Sequence, residues 1–212
     1  MSAVSLKCTF IKSVMSGFLI GVGGTVYLCT DNKYMGALLF SLGLFTIIQF
    51  GFSLFTGKVG YIPEKKPCYI FDVAVTFLGN ALGTAVCALL IRQTRTGELI
   101  FDKAVSAVSV KTEDSFISQL ILAFFCGMLM YIAVENAGRC REKALDLSAV
   151  FGICFPVMVF IFCGFNHSVA DCFYIFVSKP ELSHVLYILT AVFGNALGGM
   201  FIPVMKKLYA DK

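Results

Sequence analysis

The run Asn166-His167-Ser168, with Asp171 about one helical turn further on, holds the most concentrated chemistry in the chain. It lies inside a long apolar stretch, where an ionisable side chain is costly and marks a functional position. An imidazole with its ordinary pKa of roughly 6.5 takes up and releases a proton near neutrality, so His167 is the candidate proton exchanger. Ser168 and Asp171 would complete a nucleophilic triad only on paper. All three share one short segment and nothing else converges on them, so enzymatic chemistry is not expected. The other histidine, His184, reads as interfacial.

A second cluster, Thr56-Gly57-Lys58, interrupts another apolar run. The Thr56 hydroxyl can donate to a passing anion or to His167. Lys58 either gathers anions at a mouth or marks the membrane boundary. Asn80 and Asn195 are amides deep in apolar segments, and each needs a partner, which unwound backbone or a polar pathway would supply.

The elements that must position these groups follow from composition. Of 212 residues, 58% are hydrophobic and 14% charged, against roughly 45–50% and about 25% in soluble domains. That surplus has to face lipid. Six apolar segments can be drawn, at about 12–30, 35–56, 69–92, 116–137, 147–177 and 183–205, several near the roughly 20 residues a crossing requires. The second is interrupted at residues 56–60 and the fifth at residues 163–168. Broken helix is tolerated in lipid only where protein or a water-filled cavity satisfies the freed backbone, so two breaks predict a lined pathway.

Segment three carries Gly79-Asn80-Ala81-Leu82-Gly83 and segment six carries Gly194-Asn195-Ala196-Leu197-Gly198. Each follows a broken helix and each closes a group of three crossings. An odd number of crossings per half turns the second half over, so the expected fold is a single all-α domain of two inverted three-helix repeats, about 12–92 and 116–205, with solute sites at the discontinuous helices. The glycines, like Gly17 and Gly21, read as close-packing positions.

Lys and Arg, weighed side against side, place both termini in the cytoplasm. The net charge of +4 is modest and the basic residues sit in connections, so nucleic acid is not an expected partner. Nine cysteines lie mostly in or beside apolar runs, no Cys-x-x-Cys pair occurs and only two histidines exist. These features predict packing thiols, no protein-built metal site and no cofactor.

The chain resembles the formate/nitrite transporter family, which includes hydrosulfide channels, over essentially its whole length. The motifs that carry the resemblance are Leu54-Phe55-Thr56, Gly164-Phe165-Asn166-His167-Ser168-Val169-Ala170 and the glycine-asparagine element at Asn195. The resemblance implies an aquaporin-like fold of six helices in the cell (inner) membrane, a homopentamer, and one path per protomer for the small anion of a weak acid. Formate is the first expectation, with nitrite or hydrosulfide as alternatives. By the same resemblance the family's central histidine falls on His167, its loop threonine on Thr56 and its last-segment asparagine on Asn195. Its constrictions fall on Phe40 and Phe160 on the outer side and on Leu44, Leu54 and Phe55 on the inner side. Two positions depart from the pattern: Asn166 stands where an acid is often found, and Gly127 where a polar residue is expected. An aquaporin-type pore for neutral solutes is the remote alternative, and the paired Asn-Pro-Ala motifs it would carry are absent.

Overall fold

The computed structural model describes residues 3–140 and 147–210; Arg141, Lys143 and Lys212, which contribute to the charge bias, lie outside the described residues. The described chain is helical throughout: α1 Ala3–Cys29, α2 Lys33–Phe50, α3 Phe55–Lys58, a 3-10 turn Val59–Glu64, α4 Tyr69–Arg92, α5 Arg95–Thr112, α6 Phe116–Cys140, α7 Leu147–Phe162, α8 Ser168–Val177 and α9 Ser183–Ala210. Within α1, α2, α4, α6 and α9 lie five spans long and apolar enough to cross a membrane. α7 and α8, at 16 and 10 residues, cover only about 24 and 15 Å at 1.5 Å per residue, each less than the hydrocarbon core.

Two helices end in the same way. Gly51 takes a left-handed conformation (φ 65°) after α2, and Gly164 does so (φ 70°) after α7. The Gly51 N–H donates to Ile48 and the Phe52 N–H to Ile47; the Gly164 N–H donates to Ile161 and the Phe165 N–H to Phe160. Glycine adopts this backbone without a Cβ penalty, and the paired back-bonds form a Schellman cap that stops the helix. The chain then runs extended to Leu54 and His167, which cap α3 and α8.

The sequence reading placed the first interruption at residues 56–60, and the structure moves it upstream. Helix stops at Phe50, while Thr56, Gly57 and Lys58 are helical. The glycine that stops the helix is Gly51, whereas the Cα of Gly60 is packed against Tyr131 and the main chain of Gly199. A second difference lies between the third and fourth apolar segments, where the sequence marks no element and the structure forms α5. It is an amphipathic helix that buries Ile100, Ala104 and Val108, spaced by one turn and too charged to register as a crossing.

α1 lies along α4, and α6 along α9. A Cβ on Gly17 would collide with the main chain of Asn80, and one on Gly83 with that of Val14; Gly127 and Gly198 stand in the same relation to Asn195 and Phe124. Backbones this close are the way small residues hold helices together where lipid offers no hydrophobic drive. Gly127, a departure from the pattern the family resemblance implies, is thus a packing position equivalent to Gly17.

Candidate functional site

Each break leaves main-chain groups without helical partners, and a buried group left so costs about 1–3 kcal/mol. One asparagine repairs each. Asn80 accepts the Phe55 N–H at Oδ1 (2.8 Å) and donates from Nδ2 to the oxygens of Ser13 (2.8 Å) and Ser53 (2.9 Å). Asn195 accepts the Ser168 N–H (2.9 Å) and donates to the oxygens of Ala123 and Asn166, both at 2.8 Å. Both amides are fully buried. The bonding pattern is the same in both halves, and it orients the first turns of α3 and α8.

Those two short helices bring Thr56 and His167 together. Thr56 Oγ1 lies 3.1 Å from His167 Nε2, with both residues at most 1% exposed. At the ring's other side the Ala170 N–H donates to His167 Nδ1 at 3.1 Å, the N-cap bond of α8. Nδ1 therefore acts as an acceptor, and the proton of the neutral ring sits on Nε2, from which it donates to Thr56. A cationic ring, which carries a proton on both nitrogens, must give up the Ala170 cap.

Aromatic groups close over this pair. The Phe160 ring stacks on the His167 ring (centroids 5.3 Å apart), and Phe40 meets Phe160 edge to face at 5.7 Å. Leu44, one turn after Phe40 on α2, and Leu54 and Phe55 at the start of α3 are all buried in the same apolar core. Phe55 rests on Phe77.

Sequence reasoning singled out Asp171 but missed the cation that pairs with it. Lys111, near the end of α5, donates to the main-chain oxygens of Gly164 (3.4 Å) and Phe165 (3.2 Å) and to Asn166 Oδ1 (3.1 Å). It also pairs with Asp171 Oδ1 at 3.2 Å, and Tyr187 donates to Asp171 Oδ2 at 2.7 Å. The ammonium thus covers the carbonyls that the break exposes. A signal for it was present: Lys111 extends the buried face of α5 from Ile100 through Ala104 and Val108. Asn166 also donates from Nδ2 to the Gln119 oxygen (3.2 Å), so it joins α8 to α6.

Lys58 is engaged as well, in an ion pair with Asp72, which also accepts from Thr9. His184 Nδ1 accepts the Glu181 N–H in an exposed turn, away from the central pair. A cavity of about 660 Å³ opens on the α5 side and reaches inward to Phe160 and His167. Lys33, Asp31 and Lys103 line it, and Lys103 pairs with Asp31 at 2.9 Å and holds its carboxyl below the usual range.

Comparison with known proteins places this geometry. A family model described as formate/nitrite transporter matches residues 2–209. An uncharacterized transporter of Bacillus subtilis, YrhG, is 27% identical over 184 residues, 79% of this chain and 68% of the relative. A solved structure titled "Pentameric formate channel with formate bound" superposes with a TM-score of 0.81 at 21% identity, covering 100% of both chains. The aquaglyceroporin of Plasmodium falciparum superposes at 0.55 with 16% identity, over 92% of this chain and 91% of the other, which extends the likeness of fold to the aquaporin architecture.

Proposed function

The chain belongs to the formate/nitrite transporter family, and from that premise we propose that it conducts the small monovalent anion of a weak acid, formate first, by neutralising it at His167. The observation that carries this reading is the hydrogen-bonded, buried pair of His167 and Thr56, with the Phe160 ring stacked on the imidazole. A bare charge at the centre of a bilayer costs at least about 2.5–3.5 kcal/mol, so an apolar passage favours a solute that crosses it neutral.

In this reading His167, carrying a proton on each nitrogen, gives the Nε2 proton to the anion and is left neutral with its proton on Nδ1. The Ala170 N–H regains its bond to Nδ1 only when Nδ1 has released that proton and Nε2 has taken one up. Thr56 holds the Nε2 side in register. A proton taken from solution recharges the ring, so one proton accompanies each anion. Forming the cation breaks an N-cap, an interaction of about 0.5–2 kcal/mol, which keeps the ring neutral until an anion arrives to stabilise the charge. Asn80 and Asn195 keep α3 and α8 in place. Phe40 and Phe160 close one end of the passage, and Leu44, Leu54 and Phe55 the other. Lys58, tied to Asp72, serves as an anchor of α3 as much as a mouth charge.

The same reading makes the chain one domain of two inverted repeats, assembled as a homopentamer in the cell membrane with both termini in the cytoplasm. That the chain superposes on a pentameric formate channel supports the assembly. Exposed apolar side chains such as Phe71, Leu78, Leu186 and Leu189 supply surface for lipid and for neighbouring copies.

The test is a solute panel in proteoliposomes: formate, nitrite, hydrosulfide and glycerol. Formate uptake well above the protein-free background, with glycerol at background, supports the reading. Glycerol uptake without any of the anions contradicts it, and hydrosulfide faster than formate reassigns the solute within the family.

A further inference from the structure

The cavity on the α5 side has a polar group that the proton-transfer centre does not use. His167, Ala170, Asp171 and Tyr174 are spaced i, i+3, i+4 and i+7, so they share one face of α8, and all four line that cavity. Along this face the polar side chains are accounted for until the last. His167 bonds to Thr56 and Ala170, while Asp171 is held by Lys111 and Tyr187. The Tyr174 hydroxyl, in a residue 4% exposed, is buried and has no hydrogen-bond partner among the described residues. Two other buried hydroxyls share that condition, on Ser16 and Ser168, but neither lines the cavity.

Burying a phenol without a partner is unfavourable, and phenylalanine would fill the same space against α1. The ring is already fixed there, with Gly24 of α1 giving it room. Seven residues of helix set Tyr174 about 10 Å beyond His167 along the axis, with Asp171 between them on the same helix.

We propose that the Tyr174 hydroxyl is a recognition donor for small monovalent oxyanions, holding them in the cavity one step before the Phe160–His167 closure. This rests on the transport reading above. The O–H donates to an oxygen of the solute, and Lys111, which lines the same cavity, supplies positive charge to it; the Asp171 carboxylate, which opposes an anion, is offset by its pairing with Lys111 and by the Tyr187 hydroxyl. Formate and nitrite present oxygen acceptors. Hydrosulfide presents only sulfur, a weak acceptor, so the site favours the first two.

Tyr174→Phe removes one oxygen and keeps the ring. In proteoliposomes the variant is expected to raise the KM for formate and nitrite about tenfold, leave the maximal rate near wild type, and change the hydrosulfide KM by less than about twofold. Its thermal midpoint in detergent is expected to equal or exceed that of wild type, because the hydroxyl makes no bond within the chain. An unchanged formate KM, an equal rise for hydrosulfide, or a lowered midpoint overturns the proposal. The transport reading then stands or falls separately on His167→Gln: loss of proton-driven formate uptake in that variant with a normal Tyr174→Phe leaves only the recognition site refuted, whereas a wild-type protein that carries no formate removes both.

Discussion

The side of Gly127 where a Cβ would stand is filled by the main-chain oxygen of Asn195, as that of Gly17 is filled by Asn80. The obstacle is backbone of a neighbouring helix, which cannot swing aside as a long side chain would. Gly127→Ala is therefore expected to lower stability by about 1–3 kcal/mol, measured as the unfolding midpoint in detergent. Gly138→Ala, where nothing lies within 4 Å, serves as the control and is expected to be neutral or slightly stabilising.

Asn195→Leu removes three hydrogen bonds at once and strands the Ser168 N–H together with two carbonyls. At about 1–3 kcal/mol for each unsatisfied group, the loss is several kcal/mol, and Asn80→Leu is expected to match it because its bonds are the same in kind. Both variants should show sharply reduced yields of folded protein. Normal thermal stability in either would mean that the broken helices are held by packing alone.

Lys111 and Asp171 are expected to be strongly coupled. Removing one partner of a buried pair costs about 3–5 kcal/mol because the other charge stays behind, so Lys111→Met and Asp171→Asn should each be severely destabilised. The double variant should recover much of the loss. A double variant as unstable as the sum of the two would show that the ammonium matters through the carbonyls of Gly164 and Phe165 and not through the carboxylate.

The mouth of the cavity gives a separate pH expectation. With Lys103 beside it, the Asp31 carboxyl titrates below its ordinary value of about 3.9. A depressed carboxyl keeps its charge as pH falls and loses it only under stronger acid, so between pH 7 and 5 the mouth does not become more positive through Asp31. Asp31→Asn is accordingly expected to shift anion uptake by the same factor at both pH values. A variant whose uptake no longer changes with pH would assign the acid dependence to the mouth.

These expectations separate what the amino-acid order made legible from what it did not. His167, Asn80 and Asn195 stood out because a polar side chain in an apolar run has few reasons to be there. The interruption of the fifth segment was read where helix ends, since Gly164, Asn166 and His167 cluster. The first interruption was misplaced by several residues: Gly51 is a lone glycine among apolar neighbours, and its effect is a backbone sign that composition does not carry. α5 escaped because its pattern is that of an ordinary amphipathic helix, and the pairing of Lys111 with Asp171 spans elements that only the tertiary fold brings together. Phe40 and Phe160 came from family resemblance, since 22 phenylalanines offer no periodicity that singles out two.

The central claim is that the ring at the middle of the passage lends the proton that lets the anion cross. His167 is surrounded by Thr56 from α3, Phe160 from α7, Lys111 from α5 and Asp171 on its own helix. In the proposed mechanism the donor is the protonated ring, so uptake is expected to rise as the pH on the loading side falls. The direct measurement is initial formate uptake into proteoliposomes at external pH 7.5 and 5.5 for wild type and His167→Gln, corrected for protein-free vesicles. The account predicts a several-fold acid stimulation in wild type and none in the variant; equal stimulation in both would contradict it.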